Sequence, residues 1–269
     1  MHDQPLPPLL FAFALALAAP ASYAAAACQV NSGAATAALV ELYTSEGCSS
    51  CPPADRRLAA LRSRMDAGAA VVPLTLHVGY WDSLGWKDPF AQPLFDQRQR
   101  LLLQHGRRQV AYTPQFFVNG TEVRDWDAAL PEAIRRTNAQ PAPLKIVLKG
   151  SAAGGGMLRL EASARAADPH TAGALYLVLT ETGLVSKVAR GENGGATLRH
   201  EDVARLWLGP FPLAGGAVQV QREVKLAPAW RRDRLQALAF VQDPGAGVLQ
   251  AVDTAACKDG VAGAEAGRP

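Results

Sequence analysis

Cys48 and Cys51 are the residues best suited by type and spacing to do chemistry in this 269-residue chain, and they lie in Thr44-Ser45-Glu46-Gly47-Cys48-Ser49-Ser50-Cys51-Pro52-Pro53. The thiolate is the reactive form of cysteine, and the free amides and dipole of a helix N-terminus lower a thiol's pKa. The strand-like run Ala38–Thr44 precedes the pair, and a helical pattern over Pro52–Leu61 follows it. The spacing therefore expects Cys48 exposed at a helix entrance and Cys51 covered, one turn in. Cys48 is then the nucleophile of a thiol–disulfide exchange, and Cys51 resolves the mixed disulfide. Two other readings of the same spacing stay open: a fixed structural disulfide, and a thiolate pair that binds copper(I). A zinc site lacks a second Cys-x-x-Cys or a close Cys/His pair to complete four ligands. No cofactor is implied.

A second constellation is Tyr112-Thr113-Pro114-Gln115-Phe116-Phe117-Val118-Asn119-Gly120. Asn119-Gly120 is a strong hairpin-turn signal, and a proline opening a hairpin strand suits a cis bond at Thr113–Pro114. The loop Tyr80–Phe90 carries Trp81 and Trp86, read as walls of a substrate groove, with Asp82, Lys87 and Asp88 setting its charge. Its alternative is a self-packed loop in which Asp88 caps the turn before Pro89. His77 reads as a hydrogen-bonded structural imidazole. His200-Glu201 opens no His-Glu-x-x-His motif, because position 204 is Ala.

These residues need elements to hold them. Strands are expected at Ala38–Thr44, Val71–Val78, Gln115–Val118 and Thr121–Val123, with helices at Pro52–Leu61, Leu94–Gln104 and from Asp125 or Asp127 through Arg136. That order is the order of a minimal thioredoxin fold. After a proline-rich linker, short apolar alternations dominate: Leu144–Leu148, Met157–Ala162, Ala174–Thr180, Ala217–Leu226, Leu235–Gln242 and Val248–Thr254. A helix is expected at Glu201–Trp207. The fold class expected is α+β, a thioredoxin-like α/β domain followed by a mostly-β, sandwich-like domain. The divisions are a signal peptide over 1–24, the first domain over 25–137, a linker over 138–143, the second domain over 144–257 and a disordered tail over 258–269.

The balance of 49% hydrophobic and 19% charged residues excludes a disordered chain and a polytopic membrane protein. A net charge of +3 without a basic run offers no nucleic-acid footprint. Leu9–Ala19 is too short to span a bilayer, and Ser22-Tyr23-Ala24 fits a small-x-small cleavage site, so the chain reads as exported, periplasmic or secreted, and free of the membrane after cleavage. Lipid attachment at Cys28, after Ala26-Ala27, is an alternative. In an oxidising compartment Cys28 and Cys257 are left to pair once the Cys-x-x-Cys is set apart; two buried free thiols are the other outcome.

Val40-Glu41-Leu42-Tyr43-Thr44-Ser45-Glu46-Gly47-Cys48-Ser49-Ser50-Cys51-Pro52-Pro53-Ala54-Asp55 resembles the opening of a secreted, mainly bacterial thioredoxin-like family catalogued as a domain of unknown function. His77-Val78-Gly79-Tyr80-Trp81-Asp82, Leu84–Phe90, Tyr112–Gln115 and Arg190-Gly191-Glu192-Asn193-Gly194-Gly195 continue the resemblance over nearly all of the exported chain. The resemblance implies that Pro114 is cis beside the Cys-x-x-Cys and that Thr113 pairs with substrate backbone. It also implies that Glu41, seven residues before Cys48, relays a proton to the covered thiol, provided that its strand register turns it toward Cys51. The expected partners are protein or small-molecule thiols and disulfides, and the expected activity is that of a thiol–disulfide oxidoreductase.

Overall fold

The computed structural model describes residues 28–257 and residue 261. The expected leader over 1–24, the residues before Cys28 and the tail from 258, apart from Val261, lie outside the described residues. Among those described, the order is β1 (Cys28–Asn31), β2 (Ala38–Thr44), α1 (Cys51–Ala59), α2 (Leu61–Arg64), β3 (Val71–His77), α3 (Pro93–His105), β4 (Gln115–Val118), β5 (Thr121–Val123) and α4 (Trp126–Asn138). There follow β6 (Leu144–Ala152), β7 (Met157–Ala166), β8 (Ala174–Glu181), β9 (Leu184–Lys187), β10 (Thr197–His200), β11 (Val203–Pro212), β12 (Ala217–Lys225), β13 (Leu235–Gln242) and β14 (Val248–Asp253).

The expected class is corrected by the sheet topology. The chain is predominantly β, and its first half does not form a thioredoxin-like α/β domain of its own. One eight-stranded sheet, in the order β14-β13-β8-β11-β3-β2-β4-β5, runs through both halves of the sequence. The join is β11 against β3, parallel, with Val203 opposite Thr75. Every residue of β3 is buried, so an outer edge left unpaired there would carry backbone groups with no partner. Thr75 N–H donates to Asp202 O (2.9 Å), and Thr75 Oγ1 donates to Glu201 O (2.8 Å).

The helix expected at Glu201–Trp207 is likewise replaced, by β11. Val203 and Ala204 are both fully buried, as successive residues of a strand covered on its two faces are, and Gly209-Pro210 closes off any helical continuation. The polar stretch 138–143 is pinned to the segment between β1 and β2, because Thr36 N–H donates to Gln140 O and Ala142 N–H to Ala34 O.

Alternation sorts the core into three layers. Leu39 and Tyr43 of β2 face α3 through Phe95 and Leu102, whereas Val40 and Leu42 face α1 and α4 through Leu58, Leu130 and Ile134. Toward the other end of the sheet, Leu175, Leu177 and Leu179 of β8 pack on a four-stranded antiparallel sheet, β1-β6-β7-β12, through Ile146, Leu148 and Leu160. A Cys28–Cys257 disulfide ties the first described strand to the turn after β14, 229 residues on, with Cα atoms 5.9 Å apart. Among the described residues the hairpin β9–β10 forms a two-stranded sheet of its own, an arm packed on α1.

Candidate functional site

The site forms where β2 and β3 end beside the start of α1. Pro52 and Pro53 lack amide hydrogens and fit only in a first helical turn, which fixes the helix start at Cys51 with Ser50 as its N-cap. Cys48 therefore lies in the turn before α1, where its N–H donates to Ser45 O (3.1 Å) and its O accepts Cys51 N–H (3.2 Å). The two cysteines form a disulfide, Cα to Cα 5.4 Å. The expected exposure of Cys48 is corrected: both cysteines are 0% exposed, while Ser49 and Ser50 between them face solvent.

The turn that carries Cys48 is held from the second half of the chain. The Asn193 side-chain amide donates to Glu46 O and Cys48 O, each at 2.9 Å. The Glu192 carboxylate accepts the Ser49 N–H (2.9 Å) and Ser49 Oγ–H (2.7 Å). Gly191, at φ +75°, rests against Trp86, where any added Cβ would stand 3.2 Å from the tryptophan Cβ.

The tryptophans hold the near wall together. Trp81 Nε1–H donates to Thr113 Oγ1 (2.8 Å), and its Cβ lies 3.3 Å from the position a Cβ on Gly47 would take. Trp86 Nε1–H donates to Glu46 Oε2 (2.7 Å). The Thr113–Pro114 bond is cis, and the next residue, Gln115, pairs with Tyr43 at the end of β2. Asp88 is a junction rather than a simple cap. Its Oδ2 accepts Glu46 N–H (2.8 Å) and bonds His77 Nδ1 (2.7 Å), and its Oδ1 accepts Phe90 N–H (2.9 Å).

Glu41 is corrected. Alternation along β2 turns it to the α3 face, together with Leu39 and Tyr43, away from α1. There Arg98 Nε and Nη2 bond its two oxygens at 2.7 Å each, and Tyr43 OH donates to it at 3.0 Å. The acid that does share a face with Cys51 is Asp55, one helical turn on, and helical side chains lean back toward the helix N-terminus. Asp55 Oδ1, Thr44 Oγ1, His77 Nε2 and His200 Nδ1 are all sealed from solvent. Burial pushes the Asp55 carboxyl above its ordinary pKa, and His77, His200 and the Thr44 hydroxyl offset only part of that.

The two imidazoles meet edge to face, ring centres 4.9 Å apart, with Phe90 packed on both. His200 Nε2 bonds Glu46 Oε1 at 3.0 Å. For His77, burial works against its charged form, but Asp88, Asp55 and Glu46 outweigh burial and its pKa rises above the usual value. Burial likewise works against the Glu46 and Asp88 carboxylates, but hydrogen bonds and the facing imidazoles carry both below the usual carboxylate range.

The fold thus gathers Cys48, Cys51, Trp81, Trp86, Thr113 and Pro114 and sends Glu41 elsewhere. Sequence reasoning did not assign Asp55 as the acid on the Cys51 face of α1, and it left His200, Glu192 and Asn193 without a role. The one signal for the loop was the polar run Arg190–Gly195, which no strand or helix pattern explains. Among the described residues, no three His, Cys, Asp or Glu side chains are arranged to hold a metal ion.

Two solved structures share the fold. Protein AGR_C_4864 from Agrobacterium tumefaciens is 21% identical, with 87% of this chain and 98% of that one covered and a TM-score of 0.62. HBP35 of Porphyromonas gingivalis is 18% identical, with 88% and 80% covered and a TM-score of 0.66. At such identities the likeness carries the fold alone. No curated protein matches the chain. The model of the family described as "Protein of unknown function (DUF1223)" matches residues 39–242, so the chain belongs to that family.

Proposed function

We propose that the chain is an exported thiol–disulfide oxidoreductase working through Cys48 and Cys51. The observation that carries this reading is the Cys48–Cys51 disulfide closing directly onto the first turn of α1, with the half-buried Asp55 one helical turn on and the buried imidazoles of His77 and His200 acting on its carboxyl. Helix amides stabilise a thiolate there, and the acid and imidazoles offer places for its proton.

In the reducing direction, the Cys48 thiolate attacks one sulfur of a substrate disulfide. A Cys48–substrate bond forms, and the second substrate sulfur leaves as a thiolate. Cys51 gives its proton to Asp55 and attacks Cys48 Sγ, which releases the first substrate sulfur as a thiolate. Two electrons have passed to the substrate, whose thiolates take up protons, and the Cys48–Cys51 disulfide remains. An external dithiol reverses these steps. In this mechanism Trp81 and cis-Pro114 line the approach, and Thr113 supplies backbone contacts to substrate. The leader-like start of the chain and two disulfides support a periplasmic or secreted location.

The test is a Cys51→Ser variant exposed to an extract of the oxidising compartment. Mixed disulfides at Cys48, identified by mass spectrometry, are expected. If wild type exchanges disulfides and Cys48→Ala matches it, the role of Cys48 is lost. The 0% exposure of both sulfurs favours a second reading, a fixed structural disulfide. A structural bond has a potential below about −300 mV, and an exchanging pair lies above it.

A further inference from the structure

Ser50 stands at the N-cap of α1, yet its hydroxyl caps nothing. A serine there ordinarily has extended backbone and accepts the N–H of the second or third helical residue. In α1 those residues are Pro52 and Pro53, which have no N–H, and Ser50 itself lies in the helical region at φ −85° and ψ −6°. The two prolines therefore release the hydroxyl for another partner. The fold supplies one, because Ser50 Oγ lies 3.3 Å from Cys48 Sγ. The same prolines withhold two of the free amides with which a helix start reinforces its dipole, and the Cys51 N–H is already given to Cys48 O. The neighbouring Ser49 cannot substitute, since its hydroxyl is donated to Glu192.

The sense of this contact follows from valence. A disulfide sulfur carries no hydrogen, so the Ser50 O–H is the donor and Cys48 Sγ the acceptor. A neutral sulfur accepts weakly, whereas a thiolate accepts with full charge and forms the stronger bond. The hydroxyl thus stabilises the reduced, ionised Cys48 more than it stabilises the disulfide.

We propose that Ser50 is a catalytic residue of the exchange, donating its hydroxyl hydrogen to Cys48 Sγ and holding the charge whenever that sulfur is a thiolate. The inference deepens the exchange reading above and rests on it for its catalytic sense. Ser50 serves Cys48 as Asp55 serves Cys51. In the reducing direction it keeps Cys48 in the ionised form that attacks the substrate disulfide. In the reverse direction the second substrate thiolate attacks the substrate sulfur bound to Cys48, and a substrate disulfide forms. The bond from that sulfur to Cys48 breaks, and its electron pair leaves on Cys48 Sγ, where the Ser50 O–H meets it. The pair has then gained two electrons from the substrate. By favouring the reduced pair, Ser50 biases the exchange toward oxidation of the partner.

The experiment titrates the full reduced chain with pH, its cysteines isotope-labelled at Cβ, and follows the Cys48 resonance by NMR. Ser50→Ala is expected to raise the Cys48 pKa by about one unit, a tenfold loss of acidity set by the gap between a neutral and a charge-assisted hydrogen bond. It leaves in place the charged groups around this turn, Glu46, Asp55, Glu192, His77 and His200. Ser49→Ala and Ser50→Thr, which keeps the hydroxyl, are expected to titrate close to wild type. Where Cys48 is fully ionised, the same tenfold lowers the reduction potential of the pair by about 30 mV in Ser50→Ala. The urea midpoint of the oxidised chain is expected to stay unchanged in Ser50→Ala, because no cap is lost. An unmoved Cys48 pKa in Ser50→Ala, an equal rise in Ser49→Ala or Ser50→Thr, or a lowered urea midpoint that marks the hydroxyl as a cap overturns the assignment. The titration involves no partner, so it fails apart from the exchange reading: a shifted pKa in a chain that never exchanges disulfides keeps the hydrogen bond and removes its catalytic role.

Discussion

Glu41, fully buried, and Asp55, half-buried, are assigned opposite duties in this account, scaffold and proton acceptor, and Glu41→Gln separates them. Glu41 forms a two-point ion pair with Arg98, both side chains nearly or fully sealed from solvent. Removing one partner of such a pair typically costs about 3–5 kcal/mol, because the other charge stays buried and unmatched. Arg98 retains Gln242 Oε1 at 2.9 Å and the faces of Trp207 and Phe240, 4.8 and 5.1 Å from its Cζ, which places the loss near the lower end. About 3 kcal/mol is a large share of a typical 5–15 kcal/mol total and lowers Tm by roughly 6–12 °C in a chain of this size. Urea unfolding at pH 7 measures it, with an unchanged m-value expected. Replacing both residues, Glu41→Leu with Arg98→Met, should recover most of the loss. The exchange chemistry of Cys48–Cys51 should be unmoved in the folded variant. A Glu41→Gln protein within 0.5 kcal/mol of wild type, or one with its exchange rate cut about a hundredfold, would refute the assignment of Glu41 to the scaffold.

Asp55→Asn should do the reverse, keeping or raising stability while slowing Cys48–Cys51 exchange at pH 7 about a hundredfold and removing one inflection from its pH profile. An identical pH profile would exclude Asp55 as proton acceptor. Asp202→Asn should stabilise the fold at pH 8. Burial raises the Asp202 pKa to about 6, with Arg62 opposing and Asp253 and Glu201 adding to it. A carboxyl raised in the folded state stabilises the fold only while protonated. Its contribution is complete below about pH 4 and is lost as pH rises through about 6. The gain is about 1–2 kcal/mol at pH 8 after the weakened Arg62 contact, and it vanishes at pH 4; urea titrations at both values check it. Asparagine also accepts the positive φ of 53° at this position.

Local pattern carried the elements well and their assembly poorly. Asn119-Gly120 placed β4 and β5 to the residue, and alternation located β2, β3, β8 and β13, because turn chemistry and side-chain period are written within a few residues. The eight-stranded sheet was not legible, because the pairing of Val203 with Thr75 spans more than a hundred residues and leaves no local mark. The same distance hid the contacts that hold the site. Asn193 reaches Cys48 across 145 residues and His200 reaches Glu46 across 154, from a hairpin whose connecting loop, Arg190–Gly195, carries no strand or helix pattern. Glu41 shows the other failure, since a one-residue uncertainty between strand and cysteine decides which face of the sheet it serves.

The reduction potential of Cys48–Cys51 in the full chain bears on the central claim most directly. Equilibration against dithiol buffers of graded potential, with alkylated Cys48 quantified by mass spectrometry, reads it apart from Cys28–Cys257. A value above about −300 mV is expected of a pair that exchanges with partners. A pair that stays oxidised well below that potential is a structural bond, and the proposed activity would then be wrong.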